Sequence, residues 1–263
     1  MLTFIGLGLG ADGISLQGLR AAQEADVVYA ELYTSLLPGL VLAQLEKRIG
    51  KRVRVVSRRD VEEDPGEILD HARWKKVAFL VPGDPMIATT HVDLRLRAAK
   101  AGIGTKIVHA ASIASAAAGL LGLQSYKFGP SATVPFPDNP STRPYEVLAE
   151  NLKHGWHTML FLDLRDKERA MTAPEAIRLL LGLEERLRGG FFTPDLLLAV
   201  VARAGADDCL VRADQVERLQ REDFGPPPHL LVAPGRLHFV EAEALQVFAG
   251  APKEVLVWHM TRR

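Results

Sequence analysis

Short apolar runs alternate along the chain with stretches whose apolar residues recur at helical spacing. Leu2 to Leu9 is an apolar run punctuated by Gly6 and Gly8. Ser15 then stands as a helix cap before SLQGLRAAQEA, whose Leu16, Leu19 and Ala22 share one helical face. The spacing predicts strand, glycine-rich turn, helix. The pattern repeats: DVVYAEL (26–32) reads as a strand, PGLVLAQLEKRIG as a helix opening at Pro38 and closing at Gly50, and RVRVVS (52–57) alternates as a strand. KVAFLVPGD begins a further strand near Lys76, VDLRLRAAKAG is a helix stopped by Gly102, and TKIVHA is a strand ending at Ala110. Strands alternating with helices of about ten residues build βαβ units and a mainly parallel sheet covered on both faces.

The stretch from Ala110 to Phe128 is rich in Ala, Gly and Leu, and GPSATVPFPDNPSTRP after it carries five prolines within sixteen residues. This shift in composition marks a domain junction. Beyond it the alternation resumes with TMLFLDL, APEAIRLLLGLEERL, DLLLAVVARAG, HLLVAPG and a last helix around VEAEALQVFAG. The fold class expected is α/β, with an N-terminal α/β domain over residues 1–112 and a C-terminal one over 113–263.

Composition narrows the function. A chain of 263 residues with 48% hydrophobic and 24% charged residues is long enough to bury roughly three quarters of its unfolded surface. Thirty-two basic residues balance thirty-two acidic ones, so no global field draws the chain to nucleic acid or an anionic membrane. No apolar run approaches the roughly 18 residues of a membrane helix, and no basic leader precedes one. A cytoplasmic protein is expected. The lone Cys209 cannot form an intrachain disulfide and reads as a small core residue.

Candidate chemistry begins at Gly6-Leu-Gly8-Leu-Gly10-Ala11, which satisfies G-x-G-x-x-G/A after a strand, with Glu31 about twenty residues on. Three readings stay open: an NAD-dependent oxidoreductase, a plain tight turn, and close backbone approach to another ligand. Asp12-Gly13 intervene before the Ser15 cap, which displaces the phosphate cradle from the helix terminus. The second constellation, VPGDPMIATTH from Val81 to His91, sits at a strand's carboxyl end, where open α/β sheets bind ligands. Two prolines bracket Gly83-Asp84 and display the carboxylate, and Thr89 and Thr90 add hydroxyls, so a binding loop is favoured over a connecting turn. His91, His109 and His229 stand beside strand ends as structural histidines, without Cys or carboxylates at metal-ligand spacing. Neither a G-x-S-x-G elbow nor a P-loop is present. The basic run from Lys47 to Arg59 reads as a solvated face, with a docking patch for an acidic protein as the alternative.

Taken together, IGLGLG, AELYTSL (30–36), VPGDPMIATTH, HAASIASA (109–116), YKFGPSATVPFP (126–137) and PPHLLVAPGRLHFVEAEAL (227–245) resemble the diphthine synthase family. That family lies in the tetrapyrrole-methylase-like class of S-adenosylmethionine methyltransferases. The resemblance runs end to end in order. It implies an N-methyltransferase that acts on a modified histidine of translation elongation factor 2, forming diphthine in diphthamide synthesis. It also implies a homodimer, with an N-terminal parallel-sheet domain and a C-terminal mixed-sheet domain enclosing a cofactor cleft. By motif, cofactor contacts would fall at Leu9, Asp84, Ile87, Ser112 and Ile113, and in the second domain at Leu162, Ala204 and His229. No metal is implied, and no nucleic-acid or membrane partner. Methyl transfer to an amine needs alignment rather than a metal or covalent nucleophile, in keeping with the absence of both signatures.

Overall fold

The structure is a computed structural model that describes residues 1–165 and 169–262. The chain divides into two compact units, Met1–Ile113 and Ala114–Arg263.

The first unit holds five parallel strands, β1 (Leu2–Gly6), β2 (Val27–Glu31), β3 (Val53–Val56), β4 (Val77–Val81) and β5 (Thr105–Val108), in the order β3-β2-β4-β1-β5. Helices α1 (Leu16–Glu24), α2 (Leu42–Ile49), α3 (Arg58–Glu62), α4 (Gly66–Trp74) and α5 (His91–Lys100) connect them. Every residue of β1, β2 and β4 is buried, as a sheet covered on both faces requires. Alternate residues serve the two faces. Phe4, Tyr29 and Phe79 pack with Val61, Ile68 and Leu94 of α3, α4 and α5, whereas Ile5, Val28, Ala78 and Leu80 pack with Ala22, Leu45 and Ile49 of α1 and α2.

In the second unit α6 (Ile113–Leu121) leads to β6 (Ala132–Val134), α7 (Arg143–His154), β7 (Thr158–Leu162), α8 (Ala173–Leu187), β8 (Leu197–Ala202), β9 (Leu210–Gln215), α9 (Val216–Leu219), β10 (His229–Ala233), α10 (Phe239–Ala249) and α11 (Lys253–Arg262). The sheet order is β6-β7-β10-β8-β9, with β6 and β7 parallel and the other pairs antiparallel. The fold is thus α/β twice over, a parallel sheet followed by a mixed one. Leu148, Ile177, Leu180, Leu198, Val200 and Leu231 lie in the core on one face of the mixed sheet.

Several expectations need correcting. Helix α2 opens at Leu42 instead of Pro38, because Gly39 turns the chain at φ +72°. The proline-rich stretch lies inside the second unit, where it supplies edge strand β6 and puts Pro144 in the first turn of α7, a place that tolerates a missing N–H. Cys209 is half-buried in the turn before β9, outside the core. Among the described residues no helix is long and apolar enough to cross a membrane.

Candidate functional site

The strand order sets the loops after β4, β1 and β5 side by side at the carboxyl edge of the first sheet. These loops carry, respectively, Asp84 with Ile87, Leu9, and Ser112 with Ile113. They are stitched together. Gly8 N–H donates to the Gly83 carbonyl at 3.2 Å and Gly83 N–H donates back to the Gly8 carbonyl at 2.8 Å. Asp84 is buried, and its carboxylate accepts from Met86 N–H at 3.0 Å, from His109 Nδ1 at 2.8 Å and from Ala110 N–H at 3.3 Å. The carboxylate therefore closes its own turn and fastens the β4 loop to the end of β5. Ile87 is exposed, Leu9 and Ile113 are half-buried and Ser112 is buried, so the edge offers apolar side chains around a tightened backbone. Gly83 has φ +69°, and a Cβ built there would meet nothing within 4 Å, which leaves room in front of the loop.

Gly8 has a different reason to be glycine. It has φ +72°, and a Cβ there would lie 2.5 Å from the Gly13 carbonyl oxygen, so the turn folds onto itself. Two residues beyond Gly13, Ser15 closes the first turn of α1, its hydroxyl accepting from Gly18 N–H. Glu31 is fully buried, and its carboxylate turns back to accept from the N–H groups of Tyr33 and Thr34, each at 3.1 Å, and from Thr34 Oγ1 at 2.5 Å. It cannot reach a ribose. The dinucleotide reading fails on both counts.

In the second unit the register aligns the remaining residues. Phe161 pairs with Leu230 and Ala202 with His229, so Leu162 at the end of β7, His229 at the start of β10 and Ala204 just past β8 share one edge of the mixed sheet. The His229 ring is already committed: Nδ1 accepts from Ala173 N–H at 3.0 Å and Nε2 donates to the Pro226 carbonyl at 3.2 Å. Burial holds it below the usual histidine range, and it stays neutral. His91 and His109 likewise have internal partners, Pro85 and Asp84.

Two further side chains of the second unit, neither singled out by the sequence reading, anchor its loops. Arg203, at φ +50°, is buried and donates to Asp208 and to the carbonyls of Phe224 at 2.5 Å and Pro226 at 2.8 Å, tying the β8 loop to the turn before His229. Glu241 accepts from Gln124 N–H at 2.8 Å, His238 N–H at 2.8 Å, His157 Nε2 at 3.0 Å and Lys127 Nζ. Burial alone would raise its pKa, but these donors outweigh it and hold the carboxyl at about 2. Each residue combines a local partner, Asp208 or His238, with others brought close only by the fold.

Among the described residues no group of three or more His, Cys, Asp or Glu side chains could hold a metal. The basic run from Lys47 to Arg59 is largely neutralised, with Arg48 paired to Asp12, Arg54 to Glu67, Arg58 to Glu62 and Arg59 to Glu63.

The family described as Tetrapyrrole (Corrin/Porphyrin) Methylases matches residues 1–220. The diphthine synthase of Methanosarcina acetivorans is 50% identical over 264 residues, spanning 97% of this chain and 98% of its own length. That of Methanocella arvoryzae is 52% identical over 254 residues, 95% of this chain and 98% of its own. A crystal structure of a diphthine synthase superposes with a TM-score of 0.90 at 41% identity, covering 97% of this chain and 98% of that one.

Proposed function

The chain belongs to the diphthine synthases within the tetrapyrrole methylase family, and from that membership we propose that it is an S-adenosylmethionine-dependent N-methyltransferase. Its substrate is the modified histidine of translation elongation factor 2, whose amino nitrogen it methylates to form diphthine in diphthamide biosynthesis. The observation that carries this reading is identity at half of all positions across 97% of the chain.

The residues present fit such a cofactor. Leu9, Ile87 and Ile113 offer apolar surface to the adenosine and the methionine chain, Ser112 a hydroxyl, and Gly83 an unobstructed approach. In the second unit, Leu162, Ala204 and His229 are the proposed contacts, His229 through its backbone and ring edge because its nitrogens are spent. The domain bounds proposed for this enzyme, 1–112 and 113–263, lie one residue before the division between its two compact units. When bound, the cofactor supplies an electrophilic methyl group with a neutral thioether as leaving group. What remains for the chain is to align donor and acceptor and to keep the attacking amine neutral. Asp84 serves by fixing the loop geometry, since its oxygens already hold three donors.

The enzyme acts in the cytoplasm as a homodimer. Phe239, Val240, Val247 and Phe248 on α10 and Val257 and Met260 on α11 are exposed apolar residues that a partner subunit would cover. The deciding experiment is transfer of labelled methyl from S-adenosylmethionine onto purified elongation factor carrying the modified histidine. Incorporation is the expected result. Binding of adenosylhomocysteine without any incorporation would overturn the substrate assignment.

A further inference from the structure

Glu31, at the end of β2, and His91, at the start of α5, are fully buried ionisable residues that the proposed chemistry leaves without a role. Ala30 on β2 pairs with Leu80 on β4, so Glu31 stands level with Val81, where the Pro82–Thr90 loop begins. His91 closes that loop as the first residue of α5. Its ring sits edge-on to Phe79, with centroids 5.3 Å apart, and Nδ1 lies 3.3 Å from the Pro85 carbonyl. A carbonyl only accepts, so Nδ1 carries the hydrogen and neutral His91 presents a bare lone pair at Nε2. That lone pair faces Glu31 Oε1 across 3.7 Å, and Nε2 has no hydrogen-bond partner, as Thr89 Oγ1 beside it in the loop and the Tyr33 hydroxyl also have none. Two lone pairs facing each other in a desolvated site repel, whereas one proton between them makes the contact attractive.

We propose that Glu31 and His91 are positioning residues: one proton between Oε1 and Nε2 makes their contact attractive and clasps the loop after β2 to the loop after β4, and so holds the Pro82–Thr90 loop in its cofactor-binding shape. This inference rests on the methyltransferase reading of that loop. Each partner grips its own loop, Glu31 through Tyr33 N–H, Thr34 N–H and Thr34 Oγ1, and His91 through the Pro85 carbonyl. Burial raises the pKa of Glu31, against the Thr34 hydrogen bonds that lower it, and burial lowers that of His91, so both shifts favour the uncharged forms. The charged groups around it belong to α3, where Arg58 pairs with Glu62 and Glu62 also accepts from Thr90 Oγ1 at 2.9 Å.

The test reads adenosylhomocysteine affinity by calorimetry, with wild-type protein as the reference. Glu31→Leu and His91→Phe preserve the packed volume but remove the shared proton, and each should raise the Kd at least about tenfold with KM for the elongation factor little changed. Glu31→Gln supplies a permanent N–H toward Nε2 and keeps a carbonyl for Tyr33 and Thr34, so it should restore affinity to within about threefold of wild type. Wild-type affinity in both apolar variants, or a Gln variant no better than Leu, overturns the proposal. Nitrogen NMR of the wild-type His91 ring decides the matter even where a variant does not fold: an Nε2 resonance displaced from the free pyridine-type position by a hydrogen bond is expected, and an unperturbed pyridine-type Nε2 overturns the clasp. A wild-type protein that binds no adenosylhomocysteine would instead sink the methyltransferase reading itself.

Discussion

Asp84 and Glu31 are buried acids at the ends of neighbouring strands, and their partners give them different work. Asp84 joins one loop to the next through three donors, so Asp84→Ala removes an order-giving crosslink before any ligand is considered. Adenosylhomocysteine affinity should fall more than about tenfold, roughly 1.4 kcal/mol, and the melting temperature should fall with it. Lost stability at unchanged affinity would return the residue to a purely architectural role. Glu241 is the third such acid. Its pKa, lowered from the ordinary 4.5 to about 2, stabilises the fold fully above about pH 4.5, and that contribution is lost as pH falls toward 2. His157, held below its ordinary 6.5 chiefly by burial, acts in the same direction, because the unfolded chain binds its proton more readily. Glu241→Gln should cost about 3 kcal/mol at neutral pH, with the gap to wild type closing between pH 4.5 and 2 in thermal melts. A gap independent of pH would refute the assignment. The sequence displays Asp84 plainly because prolines frame it, but it gives no sign of Glu241, whose donors at 124, 127 and 157 lie more than eighty residues away. Glu31 shows the opposite failure. Its spacing suits a ribose, and only the folded β2 loop reveals that the carboxylate points inward.

Elements that pack both faces of the parallel sheet were legible because burial and periodicity agree there. Strands β1, β2 and β4 and the helix capped by Ser15 follow directly from the pattern. Elements with mixed surroundings were not: β9 has only one fully buried residue, β6 is three residues long among prolines, and α3 depends on the local Ser57–Asp60 capping box. Glycines divide in the same way. Gly8 and Gly83 both adopt positive φ and bond to each other, yet only Gly8 lacks room for a Cβ. Gly83→Ala should therefore cost about 1 to 2 kcal/mol of backbone strain, whereas Gly8→Ala adds a clash with Gly13 backbone and should cost distinctly more. Denaturant melts of the two variants check the ordering. Equal losses would mean that the β1 turn yields freely, and the close packing of Gly8 on Gly13 would then fix nothing.

At the scale of the whole molecule the second unit presents a surface that a lone chain leaves uncovered. On α10, Phe239 is 67% exposed, Val247 68% and Phe248 58%, while the opposite side of the same helix buries Ala242, Leu245 and Ala249. Helix α11 lies against α10 and adds Val257 and Met260. Scattered exposed apolar residues are ordinary, but these five together with Val240, on two neighbouring helices, are what a two-fold partner with the same face would bury. An obligate interface of this kind covers more than about 2,000 Å² in total. The wild-type protein should sediment as a dimer at low micromolar concentration, and a mass near 28.8 kDa would sink the prediction. Val247→Asp together with Val257→Asp places two charges on residues that touch little of their own subunit. The double variant should sediment as a folded monomer with an unchanged circular dichroism spectrum. A variant that remains dimeric would move the interface off α10 and α11, and the exposed phenylalanines would then need another partner, for which the elongation factor is the first to try.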